Sequence, residues 1–119
     1  LHGSRQFPKR NRLQRNAQFR RVYEEGRRFE GRLAVLYALE TPGETRAVGI
    51  VTSRKVGGAV VRNRARRLLR EAYRLNQHKM KDNVQLVLVA RAAIDGRRLA
   101  EVEAAVLALL EKAGCLVAS

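Results

Sequence analysis

The segment Ser53-Arg54-Lys55-Val56-Gly57-Gly58-Ala59-Val60-Val61-Arg62-Asn63-Arg64-Ala65-Arg66-Arg67-Leu68-Leu69-Arg70-Glu71 restricts the fold more than any other part of the chain. At about 100° per residue its apolar positions Val61, Ala65, Leu68 and Leu69, continued by Ala72 and Leu75, share one arc of a helix. Arg62, Asn63, Arg66, Arg67, Arg70 and Arg74 share the opposite arc. A helix of this kind must lay its apolar arc on another layer and turn its guanidinium groups outward. Gly57-Gly58 marks where it begins. Arginine engages phosphate through two parallel hydrogen bonds, so the outward arc reads as a nucleic-acid-binding surface.

A basic helix face is, taken alone, more often plain solvated surface. Here the acids that normally accompany such a surface are missing, apart from Glu71 near the end of the segment. Arg62, Arg66 and Arg70 recur at i, i+4, and each such like-charged pair costs a few tenths of a kcal/mol. A polyanionic partner would remove that cost.

The chain has 119 residues, enough for one domain with a modest core. Its net charge of +14 and pI of about 11.4 are unlike those of an ordinary enzyme of small substrates. Residues 1–23 hold seven basic groups and no acid, and residues 45–81 hold eleven against Glu71 alone. These two stretches are expected to converge on one surface. Twenty of the 25 cations are arginine, which suits phosphate and base stacking and follows equally from a GC-rich genome. No run is long enough to span a membrane and no charged-then-apolar stretch suggests export, so a cytoplasmic location is expected. Nor does an apolar anchoring face flank the arginines, as lipid binding would need. Cys115 is the only cysteine, and His2 and His78 are isolated, so neither a disulfide nor a zinc cluster is expected.

Residues 5–15 are basic and lack apolar periodicity, as in an extended arm. Asn16 is expected to cap a helix that runs to Glu25 and stops at Gly26, with Phe19, Val22 and Tyr23 together on it. Leu33 to Leu39 reads as a strand closed by a turn at Thr41-Pro42-Gly43-Glu44. Alternation places Tyr37 with Leu33, Val35 and Leu39, opposite Leu36 and Ala38. Ala47 to Thr52 makes a second strand, antiparallel to the first, and the arginine helix then runs to Asn76. Val84 to Ala90 is almost continuously apolar, as in a central strand covered on both faces. Asp95 and Gly96 precede a last helix from Leu99 to Ala113, which turns Val102, Val106, Leu109 and Leu110 inward and ends at Gly114.

The fold class is therefore α+β, an α/β sandwich. A small sheet of three to four strands carries three helices in the order α-β-β-(β)-α-β-α. Should the second strand and Val84–Ala90 be parallel neighbours, the arginine helix is their crossover, right-handed by default. Residues 7–115 form one RNA-binding domain. Residues 1–6, starting Leu1-His2-Gly3-Ser4 without an initiator Met, are expected to be a cloning remnant or a disordered arm, and 116–119 a tail.

At Arg54-Lys55-Val56-Gly57, Val61-Arg62-Asn63-Arg64-Ala65-Arg66-Arg67 and Arg70-Glu71 the sequence resembles the protein subunit of bacterial ribonuclease P. That family's signature is a basic pair, a Val-Gly turn, then Arg-Asn-Arg-x-Lys/Arg-Arg and a further Arg-Glu or Arg-Gln. Arg10-Asn11-Arg12-Leu13 looks like its basic opening, and Asn16 to Gly26 like its aromatic-bearing first helix. Leu33 to Leu39 and Val84 to Arg91 match its strands, so the likeness covers residues 7–113. Gly58 stands where Asn is common, Arg66 where Lys is frequent, and Tyr23 where a second Phe is often found.

The resemblance implies a left-handed β-α-β crossover, overruling the default. It also implies the activity: an endoribonuclease that removes the 5′ leader of precursor tRNA in tRNA maturation. The catalytic RNA subunit would hold the Mg²⁺ ions and carry out the hydrolysis. The protein would be a monomer in a 1:1 ribonucleoprotein with ribonuclease P RNA, would bind precursor tRNA, and would need no membrane or DNA. By itself it would bind no cofactor and hold no catalytic or metal-ligating residue. Its few dispersed acids offer no carboxylate cluster for two-metal chemistry, and neither histidine has an acid–base partner near it in sequence.

The resemblance assigns Arg62, Asn63, Arg64, Arg66, Arg67 and Arg70 to the catalytic RNA. Phe19, Tyr23 and Tyr37 would line a cleft for the single-stranded leader, with Arg54 and Lys55 at its rim. Arg10, Arg12 and Arg15 would add RNA contacts or stay solvated. At their helical spacing, Phe19 and Tyr23 could equally be core residues. A ribosomal or ribosome-associated RNA-binding protein is the alternative that charge and size allow. A DNA-binding regulator would need a short helix before the arginine helix, where the sequence has strand and glycine turn.

Overall fold

The computed structural model describes residues 12–117. The expectations for residues 1–6, for the arm up to residue 11 including Arg10, and for residues 118 and 119 lie outside the described residues. Helix α1 spans Asn16–Glu25, β1 Arg27–Glu30, β2 Ala34–Glu40 and β3 Ala47–Val51. Then follow α2 (Ala59–Asn76), β4 (Val84–Ala90) and α3 (Leu99–Lys112). Short 3-10 turns at Gln77–Lys79 and Ala92–Ile94 flank β4.

The four strands form one mixed sheet in the order β1-β2-β4-β3. β4, buried at six of its seven positions, lies between β2 and β3 and is covered on both faces. It pairs antiparallel with β2 and parallel with β3, so α2 is the crossover between parallel neighbours. β3 is antiparallel to β2 in direction, as expected, without pairing with it, since β4 lies between them. A correction concerns Leu33, which precedes β2 and packs in the other core, out of the alternation that governs Tyr37.

Two cores result. The larger lies between the sheet and α2 with α3, where Leu36, Leu86 and Leu88 meet Leu69, Val106 and Leu110. The smaller lies under α1, where Leu13, Val22, Ala47 and Val87 are buried. The cap of α1 also differs from expectation. Arg15, not Asn16, is the N-cap, and the Gln18 side chain accepts from the backbone N–H groups of Gln14 and Arg15 at 2.8 and 3.0 Å. The glutamine oxygen holds N–H groups just ahead of the helix, whereas a capping Asn16 would have accepted from N–H groups inside its first turn. The C-terminal segment expected as a tail is tied down where it is described: Leu116 bridges Met80, and Val117 N–H donates to Lys79 O at 2.8 Å.

The buried arc of α2 comprises Ala65, Leu69, Ala72, Tyr73 and Asn76. It is rotated from the predicted arc, leaving Val61, Leu68 and Leu75 half-buried. Tyr73 and Asn76 can be buried because their polar atoms are satisfied. Arg46 Nε donates to Tyr73 Oη at 2.9 Å, and Asn76 Nδ2 donates to Ala72 O and Glu103 Oε2 at 2.9 and 2.8 Å. Tyr73→Phe leaves the Arg46 Nε without that acceptor and is expected to destabilise the fold by about 2 kcal/mol. Urea unfolding checks this, and an unchanged midpoint would show that the bond contributes nothing.

Candidate nucleic-acid interface

Helix α1 lies across the strands along one row of residues. Gly49, Val87, Tyr37 and Arg28 are successive cross-strand partners on β3, β4, β2 and β1. Phe19 stands over Gly49, Val22 is buried in the core that holds Val87, and Tyr23 meets Tyr37. Gly49 is required here, because a β-carbon in its place would sit 2.3 Å from the Phe19 ring. The Tyr23 and Tyr37 rings meet edge to face, with centroids 4.8 Å apart and planes at 88°.

Of the three residues predicted to lie together on α1, only Val22 is fully buried. Phe19 is half-buried and Tyr23 is 38% exposed, so the aromatic rings are not simple core residues. Tyr37 is half-buried as well. Burial, and secondarily the neighbouring Tyr37, pushes the Tyr23 phenol above its ordinary value. It therefore stays neutral and presents no negative charge to a polyanion. Beyond the row under α1, the same sheet face continues through Val35, Val89 and Val51 toward the C-terminal ends of β3 and β4.

That end of the sheet is basic. Arg54 and Lys55 sit exposed in the turn directly after β3. The topology adds cations that sequence reasoning missed. Arg91 follows β4, Arg32 precedes β2, and Arg28 on β1 donates to Tyr37 Oη at 3.2 Å. Arg28 and Arg91 flank Glu30 at 2.8 and 3.6 Å. The only available signal was that Arg91 directly follows an apolar strand. Its place at the same end of the sheet as Arg54 depends on the parallel pairing of β3 and β4.

The α2 arginines do not form one row. Arg67 and Asn63 point outward and are exposed. Arg66 turns toward β3, donating to Thr52 Oγ1 at 2.8 Å and to Asn63 Oδ1 at 3.0 Å. Arg70 lines a groove of about 240 Å³ with Arg12, Phe19 and Gly49. Its Nε is buried and has no acceptor among the described residues. Arg62 is one turn before Arg66 on the same flank. Arg64 is the exception, since its Nη2 donates to Arg97 O at 2.6 Å on the α3 side. The predicted outward arc does not contain Arg64, and the structure agrees. Arg64 was grouped by motif, but its angle around the helix takes it away from Arg66 and Arg70.

None of Arg62, Arg64, Arg66, Arg67 and Arg70 pairs with a carboxylate among the described residues, whereas Arg74 pairs with Glu71. Arg12 pairs in parallel with Val48 on the outer edge of β3, and Arg15 is exposed at the start of α1. The two basic stretches therefore converge at the groove beside Phe19. Gly58 is the N-cap of α2 and gives no side-chain bond, so the departure from Asn costs this helix a cap.

A family model described as Ribonuclease P matches residues 7–114. The chain is 41% identical over 111 residues to the ribonuclease P protein component of Clostridium acetobutylicum, covering 92% of this chain and 93% of that protein. Its fold is similar to the RNase P protein of Staphylococcus aureus, with a TM-score of 0.81 at 24% identity over 92% of this chain and 100% of that one. The RNase P protein of Thermotoga maritima gives 0.77 at 25% identity over 87% and 97%.

Proposed function

Because this chain belongs to the ribonuclease P protein family, we propose that it grips ribonuclease P RNA through α2 and holds the precursor tRNA leader in the cleft beside α1. The observation that carries this reading is that Arg62, Arg66, Arg67 and Arg70 have no carboxylate partner among the described residues, on a helix whose Arg70 lines a groove with Phe19. Family membership disfavours the ribosomal alternative.

The two surfaces do different physical work. Guanidinium groups on α2 contact phosphates of the folded RNA and recognise its shape. In the cleft, unpaired leader bases stack on Phe19, Tyr23 and Tyr37, each for roughly 1–3 kcal/mol and with tolerance of sequence. Arg54 and Lys55 at the rim, joined by Arg28, Arg32 and Arg91, take the leader's phosphates. Arg12 and Arg15 extend the basic surface past Phe19.

In the holoenzyme the RNA would hold magnesium, which would supply water activation and charge stabilisation at the phosphate. Among the described residues no three His, Cys, Asp or Glu side chains converge, and no step is given to a metal held by this chain. One protein binds one RNA in this reading, in the cytoplasm. Among the described residues no helix is long and apolar enough to cross a membrane.

Tyr37→Ala tests the cleft. In holoenzyme reconstituted with ribonuclease P RNA, it is expected to weaken binding of leader-bearing precursor by about tenfold, from one lost stacking contact. Binding of mature tRNA should be nearly unchanged. Equal losses for both would move Tyr37 from the leader site to the core.

A further inference from the structure

Helix α1 is held on both flanks. Val22 points down into the sheet, and Phe19 and Tyr23 lie to one side of it. Arg21 lies on the other side, about 100° round the helix from Val22. There its Nη1 and Nη2 donate to the two carboxylate oxygens of Glu44 at 3.0 Å each. Glu44 is itself held in place. Asn83 Nδ2 donates to Glu44 O at 2.6 Å, Gln85 Nε2 approaches its Oε1 at 3.4 Å, and Glu44 N–H donates to Thr41 O at 3.0 Å. Two residues on, Arg46 fastens the same loop to Tyr73 of α2.

We propose that Glu44 is a positioning residue for leader binding: through Arg21 it sets the roll of α1, and hence where Phe19 and Tyr23 stand over the sheet. This rests on the cleft reading above. A side chain about 6 Å from the helix axis moves about 1 Å for a 10° roll, and a displacement of that size is enough to spoil stacking. Two parallel N–H···O bonds resist such a roll where one flexible contact would not. The Arg21 and Glu44 side chains are 40% and 42% exposed, and pairs this exposed contribute little to global stability. The clamp should therefore show in leader affinity rather than in unfolding.

The experiment measures the ratio of affinities for leader-bearing precursor and mature tRNA in reconstituted holoenzyme. Glu44→Gln is expected to lower that ratio about fivefold, with binding of ribonuclease P RNA and the melting temperature nearly unchanged. Arg21→Met should do the same, and the double variant should lose no more than either single one. Val106→Ala, in the core on the opposite face of the sheet, should lower the melting temperature further yet keep the ratio. An unchanged ratio in Glu44→Gln, or an equal fall in Val106→Ala, would overturn the proposal. A wild-type protein that does not favour the leader would instead sink the cleft reading and this inference with it.

Discussion

Replacing Arg62, Arg66 and Arg70 together by alanine is expected to lower affinity for ribonuclease P RNA by about a hundredfold at moderate salt. The same variant should flatten the plot of log affinity against log salt by about 2 to 3 units. Each phosphate neutralised by an arginine releases condensed counterions, and each contributes about 0.7–0.9 to that slope. These three side chains are singled out because they share the flank of α2 that faces β3, with no carboxylate partner among the described residues. Arg66→Ala alone should flatten the slope by about one phosphate's worth, but it also removes the tie to Thr52. Stability must be measured beside it. Arg67→Ala gives the cleaner single measurement, since that residue is exposed. A slope unaltered in the triple variant across a salt titration would show that this flank does not touch the RNA.

Gly26→Ala is expected to destabilise the fold by about 2 kcal/mol. Gly26 closes α1 with φ −84°, a value open to any residue, so the cost is steric rather than conformational. A β-carbon there would lie 2.6 Å from Val22 O and 2.8 Å from Ala38 O. Both neighbours are backbone, one in α1 and one in β2, and neither can move without shifting its element. Reduced entropy of the unfolded alanine chain offsets less than half of this. Thermal unfolding should show a fall of roughly 10 °C. A wild-type midpoint would mean that α1 can lift from the sheet at little cost, which would also weaken the role given to Arg21 and Glu44.

How much was legible in the sequence depended on the range of the forces concerned. Helix α2 was readable from Gly58 to Asn76 because a 3.6-residue repeat and a glycine break act within a few residues. Strand β4 was readable because a strand buried on both faces must be apolar throughout. By contrast, β1 with its Arg-Arg-Phe-Glu sequence carries no alternation, and it exists because β2 offers it an edge. The arc of α2 was misjudged because Tyr73 counts as a polar-tipped residue until Arg46, 27 positions away, satisfies its hydroxyl. Arg64 was grouped with Arg66 because a motif records order in the chain and ignores angle around the helix.

Charge, period and residue type alone determined that this chain is a basic, nucleic-acid-directed α+β domain with an arginine helix and an aromatic first helix. Those properties are local or additive, and no folding is needed to count them. Which cations share a surface was decided only in three dimensions. Pairing β3 parallel to β4 brings Arg54, Lys55 and Arg91 to one end of the sheet, and laying α1 across Gly49, Val87 and Tyr37 sets Phe19 and Tyr23 over the same sheet. Strand pairing depends on contacts between residues far apart in the chain, whose closure entropy is repaid only when the whole sheet assembles.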